Sequence, residues 1–161
     1  MVIVNDTSPI SNLLIIGELD WLRRLFAEVA IPPKVLEELE TAVAMGYPGL
    51  DLSETPWVKV IPPNDLNRVN QLGQDLDEGE SAAIALAMEL EADAILIDER
   101  RGYQVAKSLG LYPTGLLGVL LMAKQQDLIP LVKPTMDRLI QEAGFWISDA
   151  VYRLILSQAG E

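Results

Sequence analysis

A three-layer α/β/α sandwich around a central parallel sheet is predicted by three observations. Short apolar runs alternate with helical segments along the 161 residues, and strands separated by helices pair in parallel through right-handed crossovers that cover both faces. Two of those runs close on an acid, Val2–Asn5 at Asp6 and Ala94–Ile97 at Asp98. Half of the residues are apolar, enough to bury a core of that size. The length fits one domain over residues 1–161, with the helices of about 133–159 as an appended tail.

The elements follow in order. Val2–Asn5 reads as a buried strand, and Asp6-Thr7-Ser8-Pro9 as a helix start, with Thr7 or Ser8 as the cap and Pro9 in the first turn. That helix runs to about Ile16, breaks at Gly17 and resumes from Glu18 to about Phe26. Val29–Ile31 is a small strand. Pro32-Pro33 opens a helix to about Met45 whose apolar stripe is Val35, Leu36, Leu39 and Val43. Trp57–Ile61 is a strand closed by Pro62-Pro63. Asn64–Gly73 is weakly helical, Asp77–Glu91 strongly so, and Ala94–Ile97 is a strand. Arg100–Leu109 is helical up to a stop at Gly110, Leu111–Tyr112 forms a short strand, and helices occupy about Leu116–Gln126, Lys133–Ala143 and Ser148–Ala159.

Composition excludes whole classes of chemistry. With no cysteine there are no disulfides, thiol nucleophiles or thiolate metal sites. With no histidine there is no Ser-His-Asp mechanism, HExxH site or imidazole ligand. Carboxylates remain, and oxygen donors suit Mg²⁺, Mn²⁺ or Ca²⁺. No signal peptide or membrane-length apolar run is visible, so a soluble, cytoplasmic protein with no membrane partner is expected. The net charge is −12, and residues 1–99 hold 19 acids against 5 bases. Such a balance opposes non-specific adhesion to nucleic acid.

In open parallel sheets, ligands bind beyond the carboxyl ends of the strands. Asp6 and Asp98 end two strands there. Either acid could merely cap the following helix, but a pair of them points to a shared site. Asp77 and Glu80 have capping-box spacing, and a first-turn Glu80 would face the same edge. Of Glu37, Glu38 and Glu40, Glu38 borders the apolar stripe most closely. Carboxylates converging without Lys or Arg repel unless a cation joins them. A divalent ion there would acidify a water for phosphodiester hydrolysis.

Several segments resemble one family. Ile3-Val4-Asn5-Asp6-Thr7-Ser8-Pro9-Ile10 is similar to the opening of PIN-domain proteins, particularly the VapC-like group. Ile31-Pro32-Pro33-Lys34-Val35-Leu36-Glu37-Glu38-Leu39 resembles that group's second acidic motif. Asp77-Glu78-Gly79-Glu80-Ser81-Ala82-Ala83 resembles its Gly-Glu helix, and Leu96-Ile97-Asp98-Glu99-Arg100-Arg101 its fourth segment. The likeness spans about residues 3–120, and the Gly144–Ser148 stretch resembles the subgroup's tail. It implies a metal site of Asp6, Glu38, Glu80 and Asp98, with Glu99 as the alternative fourth acid under an ungapped match. It also implies Mg²⁺ or Mn²⁺, cleavage of single-stranded RNA, and a toxin neutralised by a small antitoxin.

Ser8, Arg100 and Arg101 are the substrate-contacting candidates, with Lys107 and Lys34 nearby in sequence. Trp21, Trp57 and Trp146 are expected in the core or an interface rather than as base-stacking platforms. The Leu116–Met122 run and the Trp146–Ile155 helix suit core packing, with a homodimer seam or antitoxin groove as the alternative. A catalytically inactive binding module of the same fold is the competing reading. A receiver-like phosphoacceptor lacks its acid pair and late strand-end lysine here. A carboxylate-pair glycosidase would want a larger, more aromatic cleft.

Overall fold

The computed structural model describes residues 1–161. Five strands form one parallel sheet in the order β3-β2-β1-β4-β5, where β1 is Ile3–Asn5, β2 Val29–Ile31, β3 Val58–Val60, β4 Ala94–Leu96 and β5 Pro113–Thr114. The chain moves outward from β1 to β3 on one side, then returns to place β4 against the free edge of β1. The order therefore reverses between β1 and β4, which pair Val4 with Ile95 and Asn5 with Leu96. The two expected acid-terminated strands are these neighbours.

Helices cover both faces, as the alternation of side chains along each strand requires. One face joins Ile3, Ile31 and Leu96 to α1 (Thr7–Ile15), α2 (Asp20–Phe26), α3 (Pro33–Ala44) and α7 (Leu116–Gln125). The same apolar cluster takes in Met136 and Leu139 of α8 (Lys133–Ala143) and Ile155 of α9 (Asp149–Ala159). The other face joins Val4, Ala30, Ile95 and Ile97 to α5 (Glu78–Glu89) and α6 (Arg100–Ser108), with α4 (Leu66–Leu72) packed on α5. Every residue of α5 from Gly79 to Ala87 is buried. Small alanines let it pack closely on the sheet and its neighbours at once, as a helix apolar on all sides must.

Four details depart from the sequence reading. The last strand is Pro113–Thr114 rather than Leu111–Tyr112. The Leu111 N–H instead closes the end of α6 on the Ala106 carbonyl at 3.1 Å, while the Tyr112 and Thr114 carbonyls accept from Ile95 and Ile97. A proline at 113 lacks a donor, yet these two bonds need only the carbonyls on either side of it. Val43 is 47% exposed and does not continue the stripe of α3. Asp6, not Thr7 or Ser8, occupies the cap position of α1, and its side chain makes no capping bond. Finally, Trp21 is buried and Trp57 half-buried, but Trp146 is 82% exposed and belongs to no core. α7 buries Leu116, Val119 and Leu120 as core packing predicts, whereas Val151 and Leu154 of α9 face outward.

Candidate active site

The site is built at the carboxyl edge of the sheet, where β1 and β4 end side by side. Asp6 follows β1 directly, and its N–H continues the ladder to the Leu96 carbonyl at 2.9 Å. Its carboxylate is thereby buried at the edge rather than turned back onto α1. Asp98 follows β4 and accepts the Leu116 N–H at 2.7 Å through Oδ1, at the start of α7. Its Oδ2 is buried without a hydrogen-bond partner. Glu99, the alternative fourth acid, is the N-cap of α6 and accepts the Gly102 N–H at 2.9 Å through Oε2. The Glu99 side chain thus caps α6, while that of Asp98 turns to the start of α7.

Glu80 lies in the first turn of α5 and is buried, with Oε2 lacking any partner. The capping expectation also holds, because Asp77 Oδ1 accepts the Glu80 N–H at 2.8 Å. Glu38 is half-buried on α3 and accepts a short hydrogen bond from the Thr7 hydroxyl. Glu37 and Glu40 are exposed, and Glu37 pairs with Lys34 at 3.1 Å.

Three glycines make room for these acids. A Cβ on Gly79 would collide with the Glu38 carboxylate. One on Gly102 would stand 2.5 Å from Glu80 Oε2, and one on Gly115 2.8 Å from Asp98 Oδ1. None of the three has a positive φ, so close approach, not backbone conformation, is what requires the missing side chain.

Electrostatics mark the same residues. Burial, then the charges of Asp77, Glu38 and Asp98, push Asp6 up to about 7 against the pull of a backbone hydrogen bond from Thr7. Burial raises Asp98 to about 6, offset in part by the Leu116 N–H. Glu80 is raised further, first by burial, then by its contact with Asp77 and the charges of Asp77, Asp6 and Glu99. Asp6, Glu38, Asp77, Glu80, Asp98 and Glu99 form one electrostatic group, and no Lys or Arg hydrogen-bonds to any of them. Asp77 was expected only as a cap; its place among the acids shows in the three-dimensional arrangement alone.

A family model described as a PIN domain matches residues 2–161. The chain belongs to the PIN-domain family. No curated protein matches it. The PIN fold is a nuclease-type fold whose members typically use divalent metal ions. The donors at this PIN domain's sheet edge are all oxygen, two of the buried ones are unpaired, and the glycines leave the carboxylates space. That chemistry fits a hard divalent cation. As the side chains stand, however, no three of them are gathered into a ready clasp around one point.

The remaining candidates lie around this PIN domain's edge. Ser8 is exposed in the first turn of α1. Arg100 is exposed and makes no ion pair, whereas Arg101 meets Asp75 at 3.4 Å. Lys34 is engaged by Glu78 at 2.6 Å as well as by Glu37. Lys107 is exposed toward the far end of α6.

Proposed function

We propose that this PIN domain is an endoribonuclease of the VapC-like kind, cleaving single-stranded RNA with Mg²⁺ or Mn²⁺ held by Asp6, Glu38, Glu80 and Asp98. One observation carries the reading. The acids ending the adjacent strands β1 and β4 meet at the reversal of strand order, where open parallel sheets bind ligands; Asp6 is buried and Asp98 half-buried, and desolvation opposes the ionisation of both. Burying carboxylates without a base beside them opposes folding unless a ligand repays it in binding.

When bound, the ion supplies Lewis-acid activation of a water and charge neutralisation at the phosphodiester. The chain's own residues do the rest. The Leu116 N–H holds Asp98 by one oxygen and leaves the other for binding. Thr7 steadies Glu38 from α1, and Asp77 caps α5 so that Glu80 stays in its first turn. Arg100, exposed two residues beyond Asp98, is placed to meet a phosphate of the substrate strand, and Ser8 stands at the start of α1 beside Asp6. With a net charge of −12, affinity for RNA away from the site is weak, and contact is transient.

Within this reading the chain is the toxin of a toxin–antitoxin pair, acting in the cytoplasm as a homodimer and neutralised by a small antitoxin. No helix is long and apolar enough to cross a membrane. Purified protein with Mn²⁺ should cleave single-stranded RNA, and Asp6→Asn should not. Equal traces of cleavage in both would assign the activity to a contaminant and end the nuclease reading. Co-expression with a small neighbouring reading frame that restores growth tests the toxin role. The competing reading, a binding module without catalysis, draws on the lack of a three-acid clasp. It predicts no shift in melting temperature on adding Mn²⁺.

A further inference from the structure

Asp98 belongs to two surfaces. Besides the acidic edge, it lines a groove of about 430 Å³ bounded by α6, α7, α9 and the α8–α9 connection. Three aromatic side chains line that groove: Tyr103 of α6, and Phe145 and Trp146 of the connection. Trp146 is the outlier of the molecule. It is 82% exposed, while Trp21 is 5% exposed. An indole left in water at the rim of an apolar groove marks a binding surface more than a packing residue. Asp98 is the sole charged residue lining the groove, so the rest of its wall suits an uncharged group that can lie against aromatic faces. One turn before Tyr103 on α6 stands Arg100, a free cation on the same helical face.

We infer that this groove is a nucleobase subsite in which an unpaired base next to the scissile phosphodiester stacks on Trp146, with the adjoining phosphate directed to Arg100. The inference rests on the RNA-cleaving reading above and deepens it. An aromatic face accepts any base but only an unstacked one, so the groove selects single strands without selecting sequence. The base's own contact here is apolar, and the neighbouring phosphate has the exposed Arg100 beside it.

The test uses the full chain with Mn²⁺, an oligouridylate, and the same oligonucleotide carrying single abasic positions. Trp146→Ala should raise KM about tenfold, within the range of about 5- to 150-fold that one base stack represents, with kcat unchanged. Trp146→Phe should keep most of the wild-type KM. Oligouridylate should quench tryptophan fluorescence in the wild type, and the quench should vanish in Trp146→Phe. One abasic position should raise the wild-type KM by a similar factor and leave that of Trp146→Ala unmoved. The side chain is exposed, so a melting curve matching wild type will show that the variant folds.

Cleavage whose KM ignores both changes overturns the subsite and leaves the nuclease reading standing. Binding and quenching without cleavage supports base stacking in the groove and overturns the nuclease, and with it the place of that base beside a scissile bond. Neither binding nor cleavage overturns both. If Trp146→Ala instead dissociates a dimer or a complex with a co-expressed protein, with KM for RNA unchanged, the groove is a protein interface and the subsite is overturned.

Discussion

Gly115 and Asp98 are neighbours across the loop that starts α7, and a Cβ on Gly115 would stand 2.8 Å from Asp98 Oδ1. That same oxygen accepts the Leu116 N–H at 2.7 Å. The glycine and the amide after it therefore shape one cradle around one carboxylate. The contact ties the end of β4 to the start of α7, and so ties an acid of the site to the core helix that buries Leu116, Val119 and Leu120.

Gly115→Ala should damage the site without unfolding the protein. Gly115 has φ −86 and ψ 175, a conformation alanine adopts freely, so the backbone is not strained and the unfolded chain loses entropy. The cost falls on Asp98, whose carboxylate must leave its cradle. RNA cleavage should drop at least tenfold, while the melting temperature stays within a few degrees of wild type. A variant with full activity would show that Asp98 is not held there for catalysis.

Asp98 and Glu99 are separable by opposite signatures. Glu99 caps α6, so Glu99→Ala should cost about 1 kcal/mol of stability and leave cleavage within a few-fold. Asp98→Asn should abolish cleavage, and it should not lower stability, because it removes a buried charge. Paired melting curves and rate assays on the two variants decide it. Reversed signatures would hand the fourth position to Glu99.

Much of this was legible in the chain itself. Apolar β-branched runs closed by Asp6 and Asp98 announce buried strands whose acids share one sheet edge, and capping-box spacing announces the start of α5. The cradle was not legible. Gly79, Gly102 and Gly115 read as ordinary glycines until the acids beside them are placed by other elements, and Asp77 reads as a cap because that is also what it is. The strand at Pro113–Thr114 hides behind a proline whose missing N–H does not matter in that pairing. The exposure of Trp146 depends on how α8 and α9 turn at Gly144, in the left-handed region at φ 65, a tertiary outcome that no local pattern encodes.

The far end of the chain offers a structural prediction independent of chemistry. The Glu161 side chain accepts from the Val132 N–H at 2.7 Å, the Lys133 N–H at 3.2 Å and the Lys124 ammonium at 3.0 Å. One carboxylate thus joins the end of α9 to the start of α8 and to α7. Glu161→Ala should destabilise the fold by about 1–2 kcal/mol, since it leaves the half-buried Lys124 without its carboxylate and uncaps α8. Urea unfolding would read that as a lower midpoint at unchanged slope. An unchanged midpoint would show the clamp to be idle in solution.

The raised acids make stability depend on pH in a direction opposite to that of most salt-bridged proteins. Asp6 titrates near 7 in the fold and at its ordinary 3.8 when unfolded, and Asp98 near 6 against 3.8. Between those values the folded state holds protons that the unfolded state has released, so raising the pH favours unfolding. The contribution is fully present below about 4 and is lost as the pH climbs through 6 to 7. Self-repulsion at a net charge of −12 acts in the same sense. In chelator, the melting temperature should therefore fall by about 5 °C or more from pH 5 to pH 8. Mn²⁺ should reverse the fall, raising the melting temperature at pH 8 more than at pH 5, because the cation competes with protons for the same oxygens. Asp6→Asn should flatten the pH profile and shrink the Mn²⁺ shift together. A metal-free protein that grows more stable toward pH 8 would mean that Asp6 and Asp98 are not buried as charges at all.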